Sequence, residues 1–124
     1  MLPAAHRLRT AADFQETTRR GAKASRGPVV AYVLAPGRDD IVLRGEPARL
    51  GTVVSKKVGG SVTRHRAARR IRGAAAPLVG ALPAGSRIVI RALPGADRDA
   101  KLALSVREAV SAAVDRAYPT RAPA

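Results

Sequence analysis

The chain has 124 residues, room for one domain with one modest core. It has no cysteine, which excludes disulfides and thiolate metal sites, and its two histidines are too few for a zinc cluster. Lys and Arg number 23 against 9 Asp and Glu, a formal charge of +14 that in a compact domain points to a polyanionic partner.

Arginine dominates the positive charge and matches phosphate bidentately, which favours nucleic acid over a membrane surface. No apolar run approaches the roughly 18 residues of a membrane span. The N-terminus has no apolar stretch after its basic residues. A soluble, cytoplasmic protein is expected. The only aromatic residues are Phe14, Tyr32 and Tyr118, so a multi-ring stacking platform is excluded and phosphate contacts should dominate.

Residues 1–9 read as an irregular basic arm. Thr10 and Asp13 have the spacing of a capping box opening a helix from Ala11 to Arg20, with Gly21 as its stop. Ala22–Ser25 suggests a short edge strand. Pro28–Ala35 is rich in β-formers and ends at the turn signal Pro36-Gly37. Ile41-Val42-Leu43 is expected to restart a strand that Arg44–Pro47 interrupts and Arg49–Ser55 resumes. A helix is expected from Ser61 to about Ala76, closed by Pro77 or one turn later by Gly80. Ser86–Ala92 forms a strand, and residues 98–117 form a helix with Leu102, Val106, Ala109, Val110, Ala113 and Ala117 on one face. The fold class is α/β in the broad sense: an α+β sandwich of three helices on a small mixed sheet of about four strands. The order is helix, three strands, helix, strand, helix. Residues 1–118 should form a single RNA-binding domain and 119–124 a flexible tail.

The most informative stretch is Lys56–Arg72, KKVGGSVTRHRAARRIR, with seven Lys or Arg, one His and no acid. At about 100° per residue, Arg66, Arg69, Arg70 and Arg72 spread over one broad side with His65, opposite Ala67, Ile71, Ala74, Ala75 and Leu78. Arg64 points near the apolar stripe, where an unpaired guanidinium would be costly and an RNA phosphate would relieve it. Gly59-Gly60 before the helix leaves free N–H groups flanked by Lys56 and Lys57, an arrangement suited to phosphate. Ordinary surfaces intersperse signs, so solvation alone explains the block poorly.

The run Ser55-Lys56-Lys57-Val58-Gly59-Gly60 followed by Arg64-His65-Arg66-Ala67-Ala68-Arg69-Arg70 resembles the signature of the bacterial ribonuclease P protein family. That signature is a Ser-Lys-Lys-x-Gly strand end, then a helix bearing Arg-Asn-Arg-x-Lys-Arg. His65 stands for the asparagine and Ala68 for the lysine. His6-Arg7-Leu8 and Asp13-Phe14 resemble the family's opening, and Tyr32 falls where it carries a central-strand aromatic.

The resemblance implies a protein subunit of a ribonucleoprotein endonuclease. It would bind the catalytic RNA and the 5′ leader of precursor tRNA, as a monomer within the complex. Arg64, His65, Arg66, Arg69, Arg70 and Arg72 would face the RNA subunit. Phe14, Tyr32, Arg19, Lys56 and Lys57 would line the leader cleft. The family carries a second aromatic where this chain has Thr18, which favours phosphate contacts. Mg²⁺ would be held mainly by RNA and substrate, with no protein ligand. The family also joins two parallel strands by a left-handed crossover, against the right-handed rule that holds in about 98% of cases. Arg44–Pro47 looks like an insertion in one family strand.

No residues are assigned as catalytic. The carboxylates are scattered, Asp39-Asp40 is their only adjacent pair, and His65 has no orienting carboxylate near it in sequence. The alternatives are a structural rRNA-binding protein of ribosomal type, a DNA-binding nucleoid protein, and a protein-only nuclease. The first predicts no discrimination between precursor and mature tRNA, the second tight duplex binding, the third cleavage without added RNA.

Overall fold

The computed structural model describes residues 4–37 and 40–119. Helix α1 (Ala11–Arg20) opens where the capping box places it: the Asp13 N–H donates to the Thr10 hydroxyl at 3.1 Å. Strands β1 (Ala22–Arg26) and β2 (Val29–Leu34) form an antiparallel hairpin. Strand β3 (Arg49–Val54) leads through a 3-10 turn (Lys56–Val58) into helix α3 (Ser61–Val79), which returns the chain to β4 (Arg87–Ala92). Helix α4 (Leu102–Ala117) follows. The sheet order is β1-β2-β4-β3, with β3 parallel to β4 and the other pairs antiparallel. This is the expected α+β architecture of three main helices and a four-stranded mixed sheet.

The period of two in the strands divides the core. Val29, Ala31, Val33, Leu50, Ile88, Ile90 and Ala92 point to one face, where they pack with Ala67, Ile71 and Ala75 of α3 and with Leu102, Val106, Ala109 and Ala113 of α4. Val30, Tyr32 and Val89 point to the other face, where they meet Leu8, Phe14, Val53 and Leu93. Strand β2 is therefore buried from Val29 to Val33, although only one face is covered by the two long helices.

Helix α1 crosses the second face at one end and is held by charge. Arg87, on β4, places its guanidinium 2.5 Å from Glu16 and 3.7 Å from Asp13. The hydrogen bond from Arg87, and then its charge, hold the Glu16 carboxyl below the usual glutamate range. Phe14 lies over Gly51, where a Cβ would overlap the ring edge. A side chain at residue 51 would lift α1 away from the sheet.

Several expectations are corrected. Ile41–Arg44 is not a strand but a single helical turn, α2, with the Arg44 N–H bonded to the Asp40 carbonyl at 3.0 Å. Its position outside the sheet leaves Ile41 83% exposed, so the β-branched run has no partner strand to favour extension. The segment before β3 is thus a looped excursion, not a strand split by an insertion. The N-terminal arm is not irregular throughout. Leu8 is buried, its N–H donates to the Leu50 carbonyl, and Arg7 bridges Leu50 in parallel, shielding part of the β3 edge.

Helix α3 passes Pro77 and ends at Val79 with Gly80 as its cap, the later of the two expected stops, and its last turn buries Val79 in the core shared with α4. Helix α4 begins at Leu102 rather than 98. Arg70 donates to the carbonyls of Asp97 (2.9 Å) and Asp99 (2.7 Å), and the Asp99 carboxylate receives the Lys101 N–H, so the segment is tied to α3 before the helix starts. Tyr118 closes the helix against the sheet, with its hydroxyl 2.5 Å from Ser86 Oγ. The expected tail from 120 onward, and Asp39 of the Asp39-Asp40 pair, lie outside the described residues.

Two stability outcomes follow from these contacts. Arg70→Ala removes charged donors to two carbonyls and should cost about 1.5–3 kcal/mol, whereas Arg69→Ala should change stability by less than about 0.5 kcal/mol. Gly51→Ala should cost about 1–3 kcal/mol by overpacking against Phe14. Urea unfolding of the three variants beside the unmodified chain measures all of these, and equal midpoints for Arg70→Ala and Arg69→Ala would contradict the assignment.

Candidate nucleic-acid interface

Two basic surfaces emerge, and the sheet separates them. The first is α3. Its buried stripe of Ala67, Ile71, Ala75 and Val79 turns the remaining positions outward. His65, Arg66, Arg69 and Arg72 are exposed, while Arg64 and Arg70 are half-buried.

The expected single arginine side divides in two. Arg70 is bound to the carbonyls before α4, and Arg66 lies 3.7 Å from Asp97, whose carboxylate is only 6% exposed and also neighbours Arg98 at 4.0 Å. These two arginines flank the α4 side of the helix. Arg69, Arg72 and His65 lie on the other flank, about 60–120° around the helix from Arg66, with no ion pair among the described residues. Arg64 is a third case. Its Nε is buried and has no hydrogen-bond partner among the described residues. Helix α3 also begins without a side-chain cap at Gly60, and Gly59 before it has φ 150°. A Cβ at Gly59 would meet Thr63 Cγ2 at 2.9 Å, so the tight entry into the helix depends on glycine.

The second surface is the cleft on the opposite sheet face. Helix α1 is one wall, with Phe14 half-buried and Arg19 exposed in its last turn. Thr18, one turn after Phe14, directs its hydroxyl back to the Phe14 and Gln15 carbonyls at 3.0 and 3.1 Å. Beside the helix, Val30, Tyr32 and Val89 form a buried apolar cluster, with Phe14, Val53 and Leu93 half-buried against it. Tyr32 is only 6% exposed, so it packs within that cluster and is not an open stacking ring. Lys56 and Lys57 are exposed beyond the end of β3. The structure thus brings Phe14 and Tyr32 into one cluster and leaves Arg19, Lys56 and Lys57 at its margins.

One residue of this surface went unselected in the sequence. Arg91 is exposed on β4, opposite Val30 and Val53, with its guanidinium carbon over the Tyr32 ring at 5.6 Å from the centroid. The alternation in Arg87-Ile88-Val89-Ile90-Arg91 carries the signal, since it puts both arginines on the face of Val89.

Among the described residues no group of three or more His, Cys, Asp and Glu could hold a metal ion. The carboxylates nearest the cleft, Asp13 and Glu16, face Arg87. No helix among the described residues is long and apolar enough to cross a membrane.

Comparison with known proteins agrees over nearly the whole chain. The family model described as Ribonuclease P matches residues 2–101. The ribonuclease P protein component of Rhodococcus opacus is 48% identical over 97 residues, covering 77% of each chain. That of Mycobacteroides abscessus is 36% identical over 124 residues, covering 100% of this chain and 96% of its own. Among solved structures, a Staphylococcus aureus RNase P protein mutant with defective mRNA degradation activity superposes with a TM-score of 0.73 at 26% identity, covering 88% of both chains. The Thermotoga maritima RNase P protein in complex with 1-(4-fluorophenyl)-2-thiourea gives 0.62 at 25% identity, over 89% of this chain and 98% of that one. By these matches, and by the basic helix and cleft that accompany them, the chain belongs to the ribonuclease P protein family.

Proposed function

We propose that the chain is the protein subunit of ribonuclease P, binding the catalytic RNA through α3 and the 5′ leader of precursor tRNA in the cleft under α1. The cytoplasm is its compartment, and it acts as a monomer within the ribonucleoprotein. The observation that carries this reading is the separation of two basic surfaces by a sheet. Arg69 and Arg72, exposed and without ion pairs among the described residues, lie on α3, and a half-buried Phe14 with the exposed cations Arg19, Lys56, Lys57 and Arg91 lies around the apolar cluster on the other side of the sheet.

On α3, Arg69 and Arg72 meet phosphates directly. Arg64 is half-buried with its Nε shut off from solvent, so it meets phosphate through the outer N–H groups of its guanidinium. Arg66 contributes from beside Asp97, which holds it near the helix surface. Arg70 acts indirectly by keeping the 96–99 segment against α3. In the cleft, Phe14 and the apolar cluster exclude water from one side of a single strand, while Arg19, Lys56 and Lys57 attract its backbone.

Hydrolysis belongs to the RNA, with Mg²⁺ held by RNA and substrate phosphates. His65 is exposed and the described carboxylates of the interface face arginines, so the chain's contribution is binding and orientation. The family match over residues 2–101 weighs against a structural rRNA-binding role.

Two titrations of the reconstituted enzyme test the assignment. Arg66→Ala and Arg69→Ala should weaken protein binding to the RNA subunit by roughly 1–3 kcal/mol each. Phe14→Ala should spare that affinity and reduce the preference for precursor over mature tRNA. The protein alone should not cleave precursor tRNA with any metal. A common pattern of losses for arginine and Phe14 variants, or cleavage without RNA that disappears in His65→Ala, would overturn the reading.

A further inference from the structure

Arg87 and Arg91 share one strand and one face, yet their surroundings differ. Arg87 is neutralised by Glu16 and Asp13. Arg91 stands in an apolar setting, between Val30 and Val53 in register and over Tyr32, and its guanidinium has no carboxylate or hydrogen-bond partner among the described residues. The cation–π contact with Tyr32 fixes where the guanidinium sits without using its hydrogen-bond donors. Because the side chain is exposed, its outer side is open to solvent on the sheet face that α1 borders.

A planar, weakly hydrated cation held over a ring suits one class of ligand well. An unpaired nucleobase stacks on the guanidinium plane, and the adjoining phosphodiester accepts from its N–H groups. A base within a duplex has both faces covered by its neighbours and cannot enter such a stack. Tyr32 is buried beneath Arg91 and Thr18 offers no ring, so among the cleft residues Arg91 presents a stacking plane to solvent.

We infer that Arg91 is a substrate-binding residue of the cleft that stacks on one unpaired base of the leader and thereby favours single-stranded RNA there. This rests on the assignment of the cleft to the precursor leader.

The test uses the enzyme reconstituted with its RNA subunit. The probes are mature tRNA, a precursor with an intact leader, and precursors in which one leader nucleotide at a time is abasic. The unmodified enzyme should lose about tenfold in affinity at one abasic position, the scale of one stacked base. Arg91→Ala and Arg91→Lys should lose a similar factor on the intact leader and be insensitive to the abasic change at that position, since lysine keeps the charge without the plane. Unchanged melting temperatures and unchanged affinity for the RNA subunit show that both variants are folded and assembled.

If Arg91→Lys matches the unmodified enzyme and keeps its abasic response, charge alone acts and the stacking assignment is wrong. If Arg91→Ala matches it, Arg91 has no role in the cleft while the leader assignment stands. If the unmodified enzyme does not distinguish precursor from mature tRNA, the leader assignment fails and the role of Arg91 fails with it.

Discussion

Nine carboxylates cannot pair with 23 lysines and arginines, so where the nine sit decides which cations are left to bind something else. Asp13 and Glu16 neutralise Arg87 and so fix α1 to the sheet, which creates the cleft. Asp97 sits among Arg66 and Arg98 where the chain turns toward α4, and Glu46 holds Arg49 at the start of β3. These contacts bind the protein to itself. Arg69 and Arg72 on α3, and Arg91 in the cleft, are exposed and lie beyond the reach of these carboxylates. A net charge of +14 in a small domain is then less a uniform property than two surfaces from which counter-charge is withheld.

The two surfaces are kept apart by the alternation of the strands. Moving β4 by one residue would exchange Ile88 and Ile90 for Arg87, Val89 and Arg91 on the helix-covered face, burying two guanidiniums. Register is therefore strongly specified, and with it the side on which each arginine emerges. The crossover through α3 places the basic helix against the face that carries Leu50, Ile88 and Ile90, while α1 and the N-terminal arm cover the other.

Much of this was legible in the sequence, because the signals were local. The Thr10 cap, the alternation in β4 and the apolar stripes of α3 and α4 each need only neighbouring residues to be read. What escaped depends on contacts between distant segments. Gly51 must lack a side chain because Phe14 lies over it, and Leu8 is buried because it pairs with Leu50. Arg70 reads as one more member of the basic block, and its carbonyl partners 27 and 29 residues away, which tie down the segment before α4, leave no local signal. Ile41–Arg44 has the composition of a strand but no partner, and it closes into a turn of helix. Tyr32 reads as an aromatic open on its strand, yet its ring is buried with Arg91 over it, a contact between two strands that the sequence does not announce.

The claim that most needs direct measurement is that Arg69 and Arg72, and not Arg70 with its donors spent on backbone carbonyls, contact RNA. The slope of log affinity for the RNA subunit against log salt counts phosphate contacts, at about 0.9 per phosphate on a duplex and about 0.7 on a single strand. Arg69→Ala and Arg72→Ala should each flatten that slope by up to about one unit, while Arg70→Ala, once its folded fraction is accounted for, should leave it unchanged. A slope equally reduced by all three substitutions, or unaffected by any, would contradict this division of the arginines.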